Sequence, residues 1–447
     1  LLQQAAYFKD RQSARSKEQD LNWDPKEGNR LKTSSGRIYK GTILEHLLIE
    51  NLVQFFNVGA HNFILLEGAD WNDGLDMARE HGESVAFSSM YAQNLKALAE
   101  IIERLPGEKI AILKEALPLF DTLTSQKIDY SKVPAKRKIL EKYFRSVKGK
   151  ISGKKINLDK NKLARDLKDK AGWMHNHIRK NAWLKERFFN GYYDNHKKKI
   201  EGNIGGIIRM TLAGQVFPLL AGIATEKQAD SLIKNVKKYL KDRKLGGFHL
   251  NTDFKEEQLN LGRAFSFIYG DKENGAFFNH MCVMFAYALY KQGLVKEGYE
   301  VMNSICKMAL DTPNSKIYPC LPEYFNAQGR GMYSYLTGSA SWFIFTLLTQ
   351  AFGVRGEYGD LVIEPKLTRA QFRDSSTLSV KTSFAKKEII VEFTNRRKKE
   401  FGSYSIQNVR FNAKDICDNI EAKRFLMKRS LFLSLAKENN LIKVTLD

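Results

Sequence analysis

The chain has 447 residues, 43% of them hydrophobic and 11% aromatic, enough apolar surface for a large core and two domains or more. That balance excludes a disordered chain. Its four cysteines, Cys282, Cys306, Cys320 and Cys417, form no C-x-x-C pair and no zinc spacing. The pattern fits a reducing, cytoplasmic compartment and argues against a disulfide-stapled scaffold or a structural metal site. The formal net charge of +22 raises the question of an anionic partner, and its distribution decides how far to take that question.

The N-terminal end opens Leu-Leu-Gln-Gln without an initiating Met, shows no signal peptide and reads as an incomplete N-terminus. The first clear element is a helix with the apolar stripe Leu44, Leu47, Leu48, Leu52, Phe55 and Phe56, for which Thr42 and Glu45 form a candidate capping box. After the apolar run at 63–66 comes the stretch Gly-Ala-Asp-Trp-Asn-Asp-Gly-Leu-Asp at 68–76. Three carboxylates, an indole and a carboxamide between glycines have no evident stabilising purpose, because carboxylates are costly to bury without partners. Such a set suits a site that protonates a glycosidic oxygen beside a sugar ring. The structural alternative is an Asx-rich turn with its indole packed inward.

Helices follow at roughly 84–104, 108–120, 134–146 and 160–190. Residues 127–200 hold 23 Lys and Arg against 7 Asp and Glu, so most of the excess charge sits in one basic helical stretch. Trp173, Trp183, Phe188, Tyr192 and Tyr193 lie in it, the mixture found in single-strand binders. Lysine-rich helical faces are more often simply solvated, so nucleic acid ranks behind the other partners. His175 and His177 lack a third ligand and make a weak metal signal.

Further helices are expected at 204–223, 226–241, 276–292, 294–309 and from Gly338 to about Phe352. The one at 204–223 is the most apolar, yet it contains Arg209, Gln215 and Pro218 and reads as a buried helix instead of a membrane span. Beyond Gly353 the period changes to two. Leu378, Val380, Thr382 and Phe384, then Ile389, Val391 and Phe393, Tyr404 and Ile406, Leu431, Leu433 and Leu435, and Ile442, Val444 and Leu446 read as half-buried strands. The expectation is a mainly helical domain over 1–353 and a C-terminal β-sandwich over 354–447.

Two later loops share the character of the first. Gly-Asp-Lys-Glu-Asn-Gly at 270–275 leads through Phe277 and Phe278 to His280, and Tyr-Leu-Thr-Gly-Ser-Ala-Ser-Trp at 335–342 opens an apolar helix. The second of these presents unpaired N–H groups and a glycine that lets an anion approach, although Thr337 in this position is by default an N-cap. His280 lies on the apolar stripe of Phe277, Met281, Met284 and Phe285 and could equally be a satisfied core histidine. Lys272 and Glu273 read either as a solvated turn pair or as groups addressing sugar hydroxyls.

Taken in order, the Asp-Trp-Asn-Asp loop, Lys-Glu-Asn-Gly followed by His280, and Tyr-Leu-Thr-Gly-Ser-Ala-Ser-Trp resemble glycoside hydrolase family 94, the inverting phosphorylases of disaccharides and oligosaccharides. Thr-Ile-Leu-Glu-His at 42–46, Tyr-Pro-Cys-Leu-Pro-Glu-Tyr at 318–324 and Gly-Asp-Leu-Val-Ile-Glu-Pro at 359–365 also fit, so the resemblance runs over essentially the whole chain. Glu-Ser-Val-Ala-Phe at 83–87, Gly-Arg-Ala-Phe at 262–265 and Asn-Val-Gly-Ala-His at 57–61 look most like the 1,2-β-oligoglucan phosphorylase branch, with cellobiose and cellodextrin phosphorylases as near neighbours.

The resemblance implies an (α/α)6 barrel, incomplete at its start, followed by a jelly-roll-like sandwich. It implies Asp73 as general acid, Trp71, Asn72, Lys272 and Glu273 as substrate-binding residues, and His280, Thr337 and Gly338 as the phosphate seat. Inorganic phosphate is then a substrate, no cofactor or metal is called for, and the partners are a β-gluco-oligosaccharide and a second copy in a homodimer. Phosphate is already an anionic nucleophile, so a second carboxylate to activate water becomes unnecessary. Asp73 must stay protonated to act, which an enclosed site and neighbouring carboxylates favour. The three loops are expected to meet at one mouth of the barrel. One departure stands out: no residue within 1–72 takes the roles of the phosphate-binding arginine and the donor-sugar acid that the family's early helices supply. An inactive carbohydrate-binding fragment is therefore the non-enzymatic alternative.

Overall fold

The computed structural model describes residues 4–6, 30–65, 74–124, 127–317, 320–335 and 338–447. It mixes helices with many small sheets and divides into two compact units, one of 1–235 with 254–267, the other of 236–253 with 268–447.

In the first unit, α1 (Ile43–Phe56) buries Leu44, Leu48, Leu52, Phe55 and Phe56 as its spacing predicts. Thr42 accepts the Glu45 N–H at 3.1 Å, while the Glu45 carboxylate receives the Tyr39 hydroxyl at 2.9 Å, so one half of the expected box is at work in a tertiary contact. Two short strands, β1 (Ile64–Leu65) and β2 (Glu83–Ser84), pair antiparallel. Ser84 then caps α2 (Val85–Arg104), accepting the Phe87 N–H at 3.0 Å. The segment expected as a helix at 108–120 is instead β3 (Lys109–Leu113) and a 3-10 turn over Lys114–Leu119. Ile110, Ile112 and Leu113 pack as a strand paired with β4 (Lys155–Asp159), and Pro118 prevents the rest from continuing as α-helix.

The basic stretch folds as α3 (Val133–Val147), β4 and α4 (Lys160–Asn181), with α4 lying along α2. Its lysines are not all solvated. Lys170 is fully buried between Asp121 at 2.8 Å and Asp166 at 2.5 Å. Lys136, also buried, donates to Asn62 at 2.9 Å and sits 3.9 Å from the centre of the Trp173 ring, and burial holds its pKa well below the ordinary lysine value. The strand β5 (Tyr192–Tyr193) joins β2 on its other edge, and α5 (Ala213–Leu220) replaces most of the long apolar helix expected at 204–223. There Glu201 is buried, accepting the Gly191 and Thr211 amides and the Thr211 hydroxyl. The next helix, α6 (Glu226–Tyr239), forms where its spacing predicts. Among the described residues no helix is long and apolar enough to cross a membrane.

In the second unit, β6 (Phe277–Phe278) runs directly into α7 (Asn279–Lys291), which packs on α8 (Val295–Leu310). The strands β7 (Tyr324–Phe325) and β8 (Gly331–Met332) complete a three-stranded sheet in the order β6-β7-β8. Helix α9 (Gly338–Thr346) lies against α7, and its last turn widens to π geometry over Leu347–Ala351.

From Val354 onward strands dominate. A four-stranded sheet is built from β9 (Val354–Glu357), β10 (Asp360–Ile363), β15 (Ile420–Glu421) and β16 (Arg424–Met427). A five-stranded one is built from β11 (Thr377–Phe384), β12 (Lys387–Thr394), β13 (Ile406–Phe411), β14 (Lys414–Asp415) and β17 (Asn439–Leu446). Their orders are β9-β10-β16-β15 and β11-β12-β17-β13-β14, with β12 and β17 parallel. Leu361, Ile363, Phe425 and Met427 of one sheet share a core with Ile389, Val391, Val444 and Phe411 of the other. The alternation at Leu431, Leu433 and Leu435 misled: α10 (Arg429–Leu435) is a helix that buries Phe432 and leaves Leu433 exposed. A single apolar anchor suffices to seat so short a helix, whatever the period of its neighbours.

Candidate functional site

Asp70, Trp71, Asn72 and Asp73 lie outside the described residues, as does Thr337. The frame that holds the first of these loops is clear. Its stems are β1 and β2, with Ile64 opposite Ser84 and Leu65 opposite Glu83. Glu83 is fully buried and accepts the amides of His61 and Phe63 near 3 Å, with its Oε1 2.8 Å from His61 Nδ1. Desolvation raises the Glu83 pKa and these donors oppose the rise. On the return side Asp76 accepts the Arg263 amide at 2.9 Å, Met77 donates to Leu261, and Asn195 takes the Glu80 and His81 amides. A cavity of about 490 Å³ opens beside Leu65, with Asn57, His81, Arg137, Glu141 and Lys197 among its walls.

Neither Glu83 nor Asp76 stands out as a loop anchor in the sequence. Glu83 sits in the turn before an amphipathic helix, where an acid is commonplace. Its one signal is the paired appearance of Asn-Val-Gly-Ala-His and Gly-Glu-Ser-Val on either side of the apolar run.

Two of the expected phosphate-seat residues, His280 and Gly338, are brought together in the second unit. His280 stands in the first turn of α7, which is fixed by Asn279: its amide donates to Glu323 O at 2.9 Å and its side chain to Pro322 O at 2.8 Å. Gly338 opens α9 against the imidazole. A Cβ built on it would come 2.8 Å from His280 Cε1 and 3.0 Å from Nδ1, so any other residue must displace the ring. The Nε2 of His280 is enclosed and has no hydrogen-bond partner among the described residues. Burial lowers the His280 pKa, which leaves the ring neutral at pH 7 with one N–H to donate. A neutral donor facing the start of a helix, with a glycine keeping the approach open, is an arrangement that can take an anion.

The loop at 270–275 is rigid. Gly270 N bonds Asn274 O at 2.7 Å, and Asn251 grips the loop from outside, donating to Asn274 Oδ1 and accepting the Gly275 amide. Tyr324 OH donates to Asp271 Oδ1 at 2.8 Å, tying this loop to β7 beside α7. Lys272 and Glu273 are half-buried, and Lys272 sits in the left-handed region at φ +47°.

The aromatic residues of the basic stretch are spent on internal packing. Trp173 stacks on His177 at 4.8 Å, Trp183 packs on Phe189, and Tyr193 stacks on His61 at 3.9 Å. The ring nitrogens of His177 contact His61 O and Asn181, while burial, helped by the neighbouring cations Lys96 and Arg179, pushes the His175 pKa down to about 4. Among the described residues no group of three or more His, Cys, Asp or Glu is placed to hold a metal ion.

Comparison with known proteins gives three findings. Residues 149–353 match the catalytic domain of the glycosyl hydrolase 94 superfamily, a span that takes in the second and third loops and begins after the first. A curated relative, the cellobionic acid phosphorylase of Neurospora crassa, is 22% identical over 222 residues, covering 46% of this chain and 27% of that protein. The chain thus spans about a quarter of the length of the curated relative it matches. Among solved structures, an uncharacterized conserved protein from Thermus thermophilus aligns at 13% identity with a TM-score of 0.30, covering 59% of this chain and 48% of that one. The first two findings support glycoside hydrolase family 94 and a phosphorylase acting on β-glycosides; neither bears on the branch.

Proposed function

We propose that this chain carries the proton donor and the phosphate seat of an inverting β-glucan phosphorylase, built on an (α/α)6 barrel with a jelly-roll-like domain after it. The observation that supports the reading best is the His280–Gly338 contact, a neutral imidazole with an unpartnered nitrogen held against the first residue of α9. In this reading a phosphate oxygen attacks the anomeric carbon from the side of the His280, Thr337 and Gly338 seat. The bond from that carbon to the glycosidic oxygen breaks, and Asp73 delivers a proton to the leaving oxygen. Inversion at a β-glucoside yields α-glucose 1-phosphate and a saccharide one unit shorter. Trp71, Asn72, Lys272 and Glu273 position the donor sugar.

The proposed substrates are β-1,2-linked glucose oligomers, and the proposed setting is cytoplasmic. The test is phosphate-dependent formation of glucose 1-phosphate from β-1,2-linked oligosaccharides, with Asp73→Asn reducing turnover by at least a thousandfold. Free glucose released in the absence of phosphate would instead identify a hydrolase. The match to a cellobionic acid phosphorylase favours a second reading, β-1,4-linked substrates of the cellobiose and cellodextrin type, which the same assay separates by substrate. Saccharide binding without turnover would make the chain a carbohydrate-binding fragment.

A further inference from the structure

Beside the His280–Gly338 contact runs a ladder of aromatic rings that the phosphorolysis chemistry leaves unused. Phe278 stacks on Tyr324 with the ring planes 6° apart, Tyr324 meets Tyr333 edge-on at 5.7 Å, and Tyr333 meets Tyr335 edge-on at 5.8 Å. Exposure climbs along it, from 1% at Tyr324 to 44% at Tyr333 and 62% at Tyr335. Folding gains little from the outer two rings, since most of their apolar surface remains in water.

The backbone beneath them is strained as well. Tyr333 sits at φ +56°, a conformation that a bulky residue adopts at a cost on the order of 1 to 3 kcal/mol and that concentrates at functional positions. Its carbonyl accepts the Glu323 amide, and the Glu323 carbonyl in turn accepts from Asn279 N and Ser339 Oγ. The strained tyrosine is therefore fixed, through one residue, to the neighbours of both His280 and Gly338. On its inner side the ladder ends at Asp271, the tyrosine hydroxyl partner in the loop that carries Lys272 and Glu273.

We propose that Tyr333 and Tyr335 form the platform for the acceptor-side sugar ring, the β-linked glucosyl unit whose oxygen leaves in phosphorolysis. The proposal rests on the phosphorylase reading and deepens it. A pyranose has a C–H face that covers an aromatic ring and a rim of hydroxyls that seeks polar partners. Exposed tyrosine rings with a carboxylate and a lysine-bearing loop at their inner end match both halves.

The test titrates the chain with a β-1,2-linked glucotriose and, separately, with cellotriose by calorimetry, and follows the His280 ring resonance against inorganic phosphate. Tyr335→Ala should weaken trisaccharide binding about tenfold, the size of one lost stacking contact, and leave the phosphate response of His280 unchanged. Tyr335→Phe should stay within about twofold of the unaltered chain, because the ring face is kept. Tyr333→Gly should weaken the saccharide and raise the melting temperature by relieving the left-handed backbone, a pairing that misfolding cannot produce. Alanine and glycine variants that bind trisaccharide as tightly as the unaltered chain would overturn the platform and leave the phosphorylase reading standing. So would a chain that responds to phosphate but binds neither trisaccharide. A chain that binds neither phosphate nor saccharide would sink both.

Discussion

At the level of single residues, the contact between Gly338 and His280 makes the sharpest demand. Gly338 has ordinary helical backbone, so a methyl group there is opposed only by the imidazole. Gly338→Ala should keep the melting temperature within a few degrees and weaken phosphate binding about tenfold or more, read from the His280 resonance, since a displaced ring forfeits a hydrogen bond to a charged ligand worth about 1.5–3 kcal/mol. Glu201 makes a different prediction. Burial, the dominant effect, pushes its pKa up to about 7 against an unfolded value near 4.5, although three donors pull the other way. The folded chain then holds a proton that the unfolded chain has lost. This contribution to stability is fully present below about pH 4.5 and is lost as pH rises through about 7, by on the order of 3 kcal/mol. Thermal melts at a series of pH values, with Glu201→Ala as the control that removes the titrating group, should show this slope only in the unaltered chain.

Among the elements, α4 is held by its buried ion triad as much as by its apolar face. Lys170→Ala leaves Asp121 and Asp166 buried without their cation and should cost about 3–5 kcal/mol in a denaturant titration. The sequence made the existence of α1, α2, α3 and α4 legible because each carries an apolar stripe at helical spacing, and the strands after Gly353 equally so through their alternation. It could not show that Lys136 and Lys170 point inward, because a buried lysine is written with the same letter as a solvated one and its partners come from distant segments. The segment at 108–120 failed for another reason: Ile110, Ile112 and Leu113 are few enough to suit either period, and the pairing with β4 decides. Of the candidate site, the sequence placed His280 and Gly338 correctly at two helix starts. That the two starts touch is a property of how α7 and α9 pack, which no local pattern encodes.

Across the whole molecule, the charge of +22 is the property most easily mistaken for a function. Its densest stretch has lysines committed to an ion triad and to an aromatic face, and its aromatic rings are covered by neighbours. What remains outside is a set of solvated lysines without exposed rings between them. An electrophoretic shift assay with duplex and single-stranded DNA at about 150 mM salt should show no retarded band, and any association at low salt should fade steeply as salt is added.

The ladder of β1 and β2 pinches both stems of the Asp-Trp-Asn-Asp segment together, with Glu83 bolting one stem from behind. A piece of chain entering and leaving through adjacent rungs can be exchanged as a cassette, because its closure entropy changes by only about 0.6 kcal/mol for each doubling in length. Libraries that vary what lies between Leu65 and Gly74 should therefore retain the parent scaffold, making this the cheapest place in the chain to look for new leaving groups.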